Sequence, residues 1–425
     1  MDFSYLLSFV LLLFFFLWRY TLKKKTYDAG SVLISLYIIY AVFAVLLYFD
    51  KNSVDSFVFQ NFGIKPLPLL YLFITLAISF SPILLYDSRK YNGIQPPSVN
   101  LDYFAWFFIL CFLLQIGGIF ENLSNGLYQV LFVDDGTAEL YSQMIDKTSE
   151  GGKGISNIFS IFANTLYGFG IIMFFYYISQ PKRKKLIVWG LGIGILIGIL
   201  SYAAAGQRGG MIKRTLLFLG TFFLIRNYLG DKVKKWIAVS GAILVLFLTF
   251  IFATMTVSRF GERDGGASSS IVRYAGQAVL NFDRYAFDNN GIRYGDRVFP
   301  IFKKLLLFEN VPDNFIERRA KYPYLYINDE VFVTYIGDFC FDFGPYVAFI
   351  LIVLFSIWVR SRTKSNNSQY PFHKLILLQF CLSICIQGGS LFSYADTGNL
   401  TIIVYLLLYT LFAINYSNRS NTVIC

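Results

Sequence analysis

Thr334, Asp338 and Asp342 are spaced i, i+4 and i+8, which puts them in one narrow stripe of a helix. They sit in an otherwise apolar stretch, with Asp329 and Glu330 before them and Gly344-Pro345 just after. A carboxylate at the centre of a bilayer costs roughly 2.5–3.5 kcal/mol on insertion scales. Two on one stripe must therefore face a polar cavity or a partner rather than lipid. Two roles satisfy that requirement, and both can hold at once. One is a general base taking the proton of a hydroxyl; the other is structural pairing with arginines from the preceding loop.

A second constellation is Ala203-Ala204-Ala205-Gly206-Gln207-Arg208-Gly209-Gly210, followed by Lys213 and Arg214. Small residues around Arg208 let backbone approach a ligand. Arg208 and Arg214 can present forked donors to a phosphate. The plainer reading is an interfacial turn whose cations snorkel to lipid headgroups. Upstream, Gly190, Gly194 and Gly198 recur every four residues and predict a flat face for close helix packing. The third candidate set lies in residues 257–330, where 11 cations nearly balance ten anions among many tyrosines. Aromatic faces and carboxylates suit sugar recognition, and Arg259 at the start of this stretch is the leading candidate among its cations.

The elements that must carry these groups are membrane helices. Of 425 residues, 56% are hydrophobic and 15% charged, and the apolar ones form blocks of about 20, enough to cross a hydrocarbon core. The blocks predict spans at roughly 3–19, 31–49, 67–86, 101–120, 156–178, 186–205, 211–226, 236–256, 331–358, 373–392 and 399–415. About half of the 37 lysines and arginines fall on alternate short connections, among them Lys23–Lys25, Lys182–Lys185 and Lys232–Lys235, which the positive-inside rule assigns to the cytoplasm. The N-terminus is then outside and the C-terminus inside. The expected organisation is eight spans over 1–256 with an acidic outer loop at about 121–155, a large outer loop over 257–330, and three spans over 331–425. Within that large loop, 271–288 has helical apolar spacing. Arg297–Phe308 reads as a short amphipathic helix lying in the membrane interface.

Several classes drop out. The net charge of +11 is spread over span connections, not gathered on one basic surface, so no nucleic-acid partner is expected. No metal-ligand set accompanies the five cysteines, and no cofactor is expected. Cys381 and Cys385, one helical turn apart, read as packing residues. The only histidine, His373, falls on the predicted cytoplasmic side. No phosphate-binding glycine loop or nucleophile triad is present.

The Gly-Gln-Arg-Gly turn between middle spans, a large outer loop running through Asn281-Phe282-Asp283, Gly295 and Phe299-Pro300, and a late span with Thr334 and Asp342-Phe343-Gly344 together resemble the O-antigen or oligosaccharide repeat-unit polymerase family. The resemblance covers roughly residues 190–358. It implies a bacterial inner-membrane enzyme with a fold similar to the membrane-embedded C-type glycosyltransferases. Such enzymes transfer a growing glycan from undecaprenyl diphosphate to a new lipid-linked repeat unit at the outer face, as one step of surface polysaccharide or lipopolysaccharide biosynthesis. On that resemblance Arg208, Arg214 and Arg259 would neutralise the diphosphate, and Asp338, Asp342 or Asp283 would activate the acceptor hydroxyl. The implied partners are lipid-linked oligosaccharides, membrane lipids and a chain-length regulator protein. Two competing readings stay open. An O-antigen ligase would carry a histidine in the large outer loop, which has none; a flippase or exporter of lipid-linked oligosaccharide would have charges lining many spans and short outer loops.

Overall fold

The apolar blocks become long helices in the computed structural model, which describes residues 3–51, 54–114, 155–260, 266–308, 310–329 and 331–422. In chain order the principal helices begin with α1 (Phe3–Lys24), α2 (Ala29–Phe49), α3 (Val54–Phe62), α4 (Pro66–Leu85) and α5 (Leu101–Leu113). Next come α6 (Ile155–Thr165), α7 (Tyr167–Ser179), α8 (Lys185–Ala204), α9 (Arg208–Ile225) and α10 (Asp231–Phe260). The last are α11 (Gly266–Tyr285), α12 (Phe315–Lys321), α13 (Thr334–Thr363), α14 (Phe372–Gln387) and α15 (Asn399–Thr422). Among the described residues, sheet is confined to a parallel pair of two-residue strands, Ile94–Gln95 with Tyr370–Pro371.

Seven helical stretches among the described residues are long and apolar enough to cross a membrane, and α6 with α7 makes an eighth if that pair, bent by 56°, counts as one span. Since helices satisfy their own backbone polar groups in lipid, the chain is an all-α polytopic membrane protein. Three predicted spans take a shorter or more polar form. The predicted 101–120 is α5, which is described only to its end near residue 114. The predicted 373–392 is α14, of 16 residues, stopped before Gly388-Gly389. The predicted 211–226 is α9, which starts at Arg208 and so takes three cations, Arg208, Lys213 and Arg214, into its first turns.

Local chemistry explains the helix ends that matter. Asp28 caps α2: its carboxylate accepts from the Ser31 N–H at 3.1 Å while the Ser31 hydroxyl accepts from the Asp28 N–H at 3.3 Å, a reciprocal capping box. Pro66 opens α4, where its missing N–H costs nothing. Asn100 caps α5, accepting from the Asp102 N–H at 3.0 Å.

Two compact units are present. The first comprises Met1–Tyr86, Ser268–Lys364 and Phe380–Ile403, and the second Asp87–Ala267, Ser365–Gln379 and Val404–Cys425. In the first, the kinked α13 packs chiefly on α4, and α1 and α2 pack on each other. In the second, the glycine face of α8 does what its spacing predicts. A methyl group at Gly190 would lie 2.6 Å from Ile109, and one at Gly194 would lie 3.2 Å from Phe108, so α8 and α5 pack at glycine distance.

The segment 257–330 departs from its expected form at one place. The helix predicted at 271–288 is α11, which buries Ala278, Val279, Leu280 and Phe282. The predicted helix Arg297–Phe308 is instead a turn at Pro300–Phe302 followed by a π-helical turn at Lys303–Leu307. The cause is in the same segment: Pro300 disfavours helical backbone at the residue before it, and Phe299 has φ −132° and ψ 43°, so the helical turn starts only at Pro300. The N–H groups of Arg297 and Val298 donate to Asp342 at 3.1 and 2.7 Å. The apolar tip survives, with Leu305, Leu306, Leu307 and Phe308 each more than 60% exposed.

Candidate functional site

Two separate groups of buried polar residues stand out, one in each unit. In the first unit, α13 is broken at Gly344, whose φ of 74° and ψ of 161° lie outside helical space. Pro345 follows and has no N–H to give the carbonyl of Phe341 four residues earlier. The backbone N–H of Arg293 fills that vacancy at 2.9 Å, and the Tyr71 hydroxyl donates to the Pro345 carbonyl at 2.6 Å. The loop residue that repairs the broken helix also delivers a cation to it. The Arg293 guanidinium, fully buried, lies 2.6 Å from Asp342 and 2.7 Å from Asp329.

Around this contact the charges close on themselves. Arg297 pairs with Asp338 at 2.8 Å, and Arg318 pairs with Asp329 at 2.6 Å and with Asp396 at 2.8 Å. Asp338 also accepts from the Phe392 N–H at 2.7 Å. Burial works against the Arg293 charge, yet Asp342, Asp338 and Asp329 together raise its pKa above the ordinary arginine value. Burial likewise acts to raise the Asp329 carboxyl, and Arg297, Arg293 and Arg318 outweigh it, holding the group below the usual carboxylate range. A neighbouring set repeats the pattern: buried Asp296 meets Lys303 at 2.5 Å, Lys321 at 2.6 Å and the Tyr322 hydroxyl at 2.7 Å. Three buried arginines thus face two buried aspartates and the part-buried Asp329, with half-exposed Asp396 at the edge. Such a set is an internal clamp, because each charge already has its counter-charge.

Asp283 is placed differently. It is buried near the end of α11, and its carboxylate accepts from the Lys65 backbone N–H at 3.0 Å. No arginine or lysine side chain among the described residues forms an ion pair with it. Burial pushes its pKa up to about 7, against a smaller lowering by the Lys65 N–H.

The second unit holds the other group. At the start of α9, Arg208 is buried and donates to the Thr256 hydroxyl at 2.8 Å. One turn and a half later, buried Arg214 is held between the rings of Tyr167 and Tyr202, 4.1 and 4.5 Å from their centroids. It donates to the Gly198 carbonyl at 2.5 Å and to the Asn164 side-chain carbonyl. Among the described residues the partners of Arg214 are all neutral. The third glycine of the α8 face makes the contact possible, since a methyl group at Gly198 would sit 2.7 Å from Arg214 and 2.5 Å from Tyr167.

The stripe residues Asp338 and Asp342 therefore come together with each other and with loop arginines, and Arg208 and Arg214 share one helix. Arg259 is in α10, but its side chain lies outside the described residues, as do Glu330 and most of the predicted outer loop at 121–155. Asp329 was visible as a neighbour of the stripe; Arg293, Arg297, Arg318 and Asp396 were legible only as loop charges. Tyr167 and Tyr202 gave no sequence signal of a role beyond apolar packing. Cys381 and Cys385 are buried and donate to the Ser79 carbonyl at 3.9 and 3.8 Å. His373 is buried against the rings of Tyr409 and Tyr416. Comparison with protein-family models, with curated proteins and with solved structures gives no match to this chain.

Proposed function

We propose that this chain is a membrane glycosyltransferase that polymerises lipid-linked oligosaccharide repeat units, resembling the O-antigen polymerases. The observation that carries this reading is the seat of Arg214, a buried cation whose partners among the described residues are a carbonyl, an amide and two aromatic rings. A buried charge without a counter-charge is costly. A diphosphate supplies the missing anion, and a guanidinium fork matches its oxygens. The arginine–aspartate clamp of the first unit offers no such surplus.

In this reading the acceptor hydroxyl oxygen attacks the anomeric carbon of the growing glycan. The bond from that carbon to the diphosphate oxygen breaks, and undecaprenyl diphosphate leaves with its charge stabilised by Arg214, Arg208 and Arg259. The hydroxyl proton passes to a carboxylate. Asp338 and Asp342 are engaged by arginines, which leaves Asp283 as the base among the three, with a pKa suited to work near neutral pH. The shorter helices α5, α9 and α14 also cross the membrane, giving about 11 spans, with the N-terminus outside and the segment 257–330 at the outer face of a bacterial inner membrane.

The test is a strain lacking the gene, complemented with wild type, Arg214→Ala or Arg208→Ala, with surface glycan resolved by chain length. Wild type restores long chains, and Arg214→Ala leaves single capped repeat units at unchanged protein level. Normal chain length and yield from Arg214→Ala would remove the reading. A gene-less strain that accumulates lipid-linked units inside and shows none at the surface would make the protein an exporter.

A further inference from the structure

The second unit contains a groove of about 710 Å³ between α8 and α10, floored by Phe174 of α7 and Phe218 of α9. Its walls are apolar along most of their length, but one end is basic, lined by Arg183, Lys185 and Lys232. Among the described residues none of these three cations has an ion-pair partner, and Asp231 beside them is engaged by Lys234 at 3.0 Å. Just inside the basic end, Trp189 of α8 and Trp236 of α10 approach edge to face with centroids 6.5 Å apart, and each is more than half exposed. Farther along, Gly241 leaves the groove open: a methyl group there would meet nothing within 4 Å.

We infer that this groove is a binding site for an anionic glycerophospholipid. The three cations receive the phosphate headgroup, the tryptophans sit at headgroup depth where amphipathic rings are favoured, and an acyl chain runs past Gly241. Charge decides the occupant: a zwitterionic lipid would fill the apolar part equally well but leave the basic end uncompensated, and basic pockets between membrane helices select anionic headgroups. The site is distinct from the Arg208–Arg214 turn. Lys185 opens α8 and Ala204 closes it, so the two ends are separated by roughly 30 Å at 1.5 Å per residue. The basic end also carries Lys182–Lys185 and Lys232–Lys235, the clusters that the positive-inside rule assigns to the cytoplasm. The lipid therefore belongs to the leaflet opposite the proposed chemistry, and the inference stands whether or not the chain is a polymerase.

The experiment uses full-length protein in which Trp18, Trp106 and Trp358 are replaced by Phe, leaving Trp189 and Trp236 as the only tryptophans. In phosphatidylcholine vesicles, fluorescence is followed as brominated phosphatidylglycerol or brominated phosphatidylcholine replaces part of the lipid. Half-maximal quenching is expected at an about fivefold lower fraction of the anionic lipid, the worth of one engaged cation. The triple variant Arg183→Gln, Lys185→Gln, Lys232→Gln erases that difference. Gly241→Phe, whose ring enters open space and leaves the protein's own packing alone, weakens quenching by both lipids. Identical curves for the two lipids in the parent protein overturn the inference, as does an anionic preference that persists in the triple variant.

Discussion

The backbone of Arg293 donates to the carbonyl of Phe341 at 2.9 Å, in the place where Pro345 has no hydrogen to offer. One loop residue thus completes the broken turn of α13 with its main chain and neutralises Asp342 with its side chain. The two functions are inseparable in space, and they tie a loop with little regular secondary structure around it to α13.

Removing the Arg293 charge should therefore cost about 3–5 kcal/mol, the usual penalty for breaking a buried pair on one side. Arg293→Gln is expected to unfold well below wild type in detergent, as followed by circular dichroism or a thiol-reactive dye on the buried cysteines. Pairing it with Asp342→Asn should recover part of the loss, since the orphaned carboxylate goes too. If Asp342→Asn changes stability by the same amount in wild type and in Arg293→Gln, the two residues are not coupled.

Asp283 supplies a pH signature. Its folded pKa of about 7 lies above the ordinary aspartate value, so the folded state holds a proton that the unfolded chain has already released. Between about pH 4 and 7 its contribution therefore turns increasingly against folding as pH rises, and it levels off above 7. Asp283→Asn should match wild type in stability near pH 4 and exceed it by a few kcal/mol at pH 8. If the carboxylate is also the base, polymerisation rises with pH through the same region in wild type and is lost in the variant.

Gly344 isolates backbone strain from packing. Its dihedral angles fall in a region essentially restricted to glycine, and a methyl group there would meet nothing within 4 Å. Gly344→Ala should thus cost about 1–3 kcal/mol through conformation alone. The loss should appear as a lower melting temperature with no new cavity or clash. An unchanged melting temperature would mean that the break relaxes without the left-handed residue.

Gly198→Ala tests the arginine seat without touching a charge. The added methyl displaces Arg214 from the Gly198 carbonyl and from Tyr167. If the chain is the proposed polymerase, surface glycan chains should shorten as expected for Arg214→Ala, while protein level falls only modestly. Full-length chains from Gly198→Ala, alongside short ones from Arg214→Ala, would show that the charge matters and its position does not.

What could be read beforehand followed the range of each interaction. The stripe of Thr334, Asp338 and Asp342 was legible because helix periodicity is local, and so was the need for buried carboxylates to find partners. Which loop cations would answer was not legible, because Arg293 and Asp342 are 49 residues apart and ten anions in the same loop compete for the same cations. The α8 glycine face was visible from its four-residue spacing, whereas the aromatic bracket on Arg214 draws Tyr167 from another helix and left no periodic trace. The helix expected at Arg297–Phe308 starts late for a local reason: amphipathic spacing was real, but Pro300 keeps Phe299 out of helical backbone. Helix length was less legible where cations enter a helix, as in α9, or where glycines cut one short, as in α14.

The clamp also dictates an order of assembly. Its arginines leave the ribosome before the aspartates at 338, 342 and 396 that neutralise them. A nascent chain ending anywhere before Asp338 thus holds three guanidinium groups with at most Asp329 of the clamp to answer them. The helix bearing Asp338 and Asp342, in turn, is buried cheaply only if Arg293 and Arg297 are at hand to receive it. Docking of the segment that carries Arg293 and Arg297 is accordingly coupled to inserting α13, and the final ion pair closes only when Asp396 has been added.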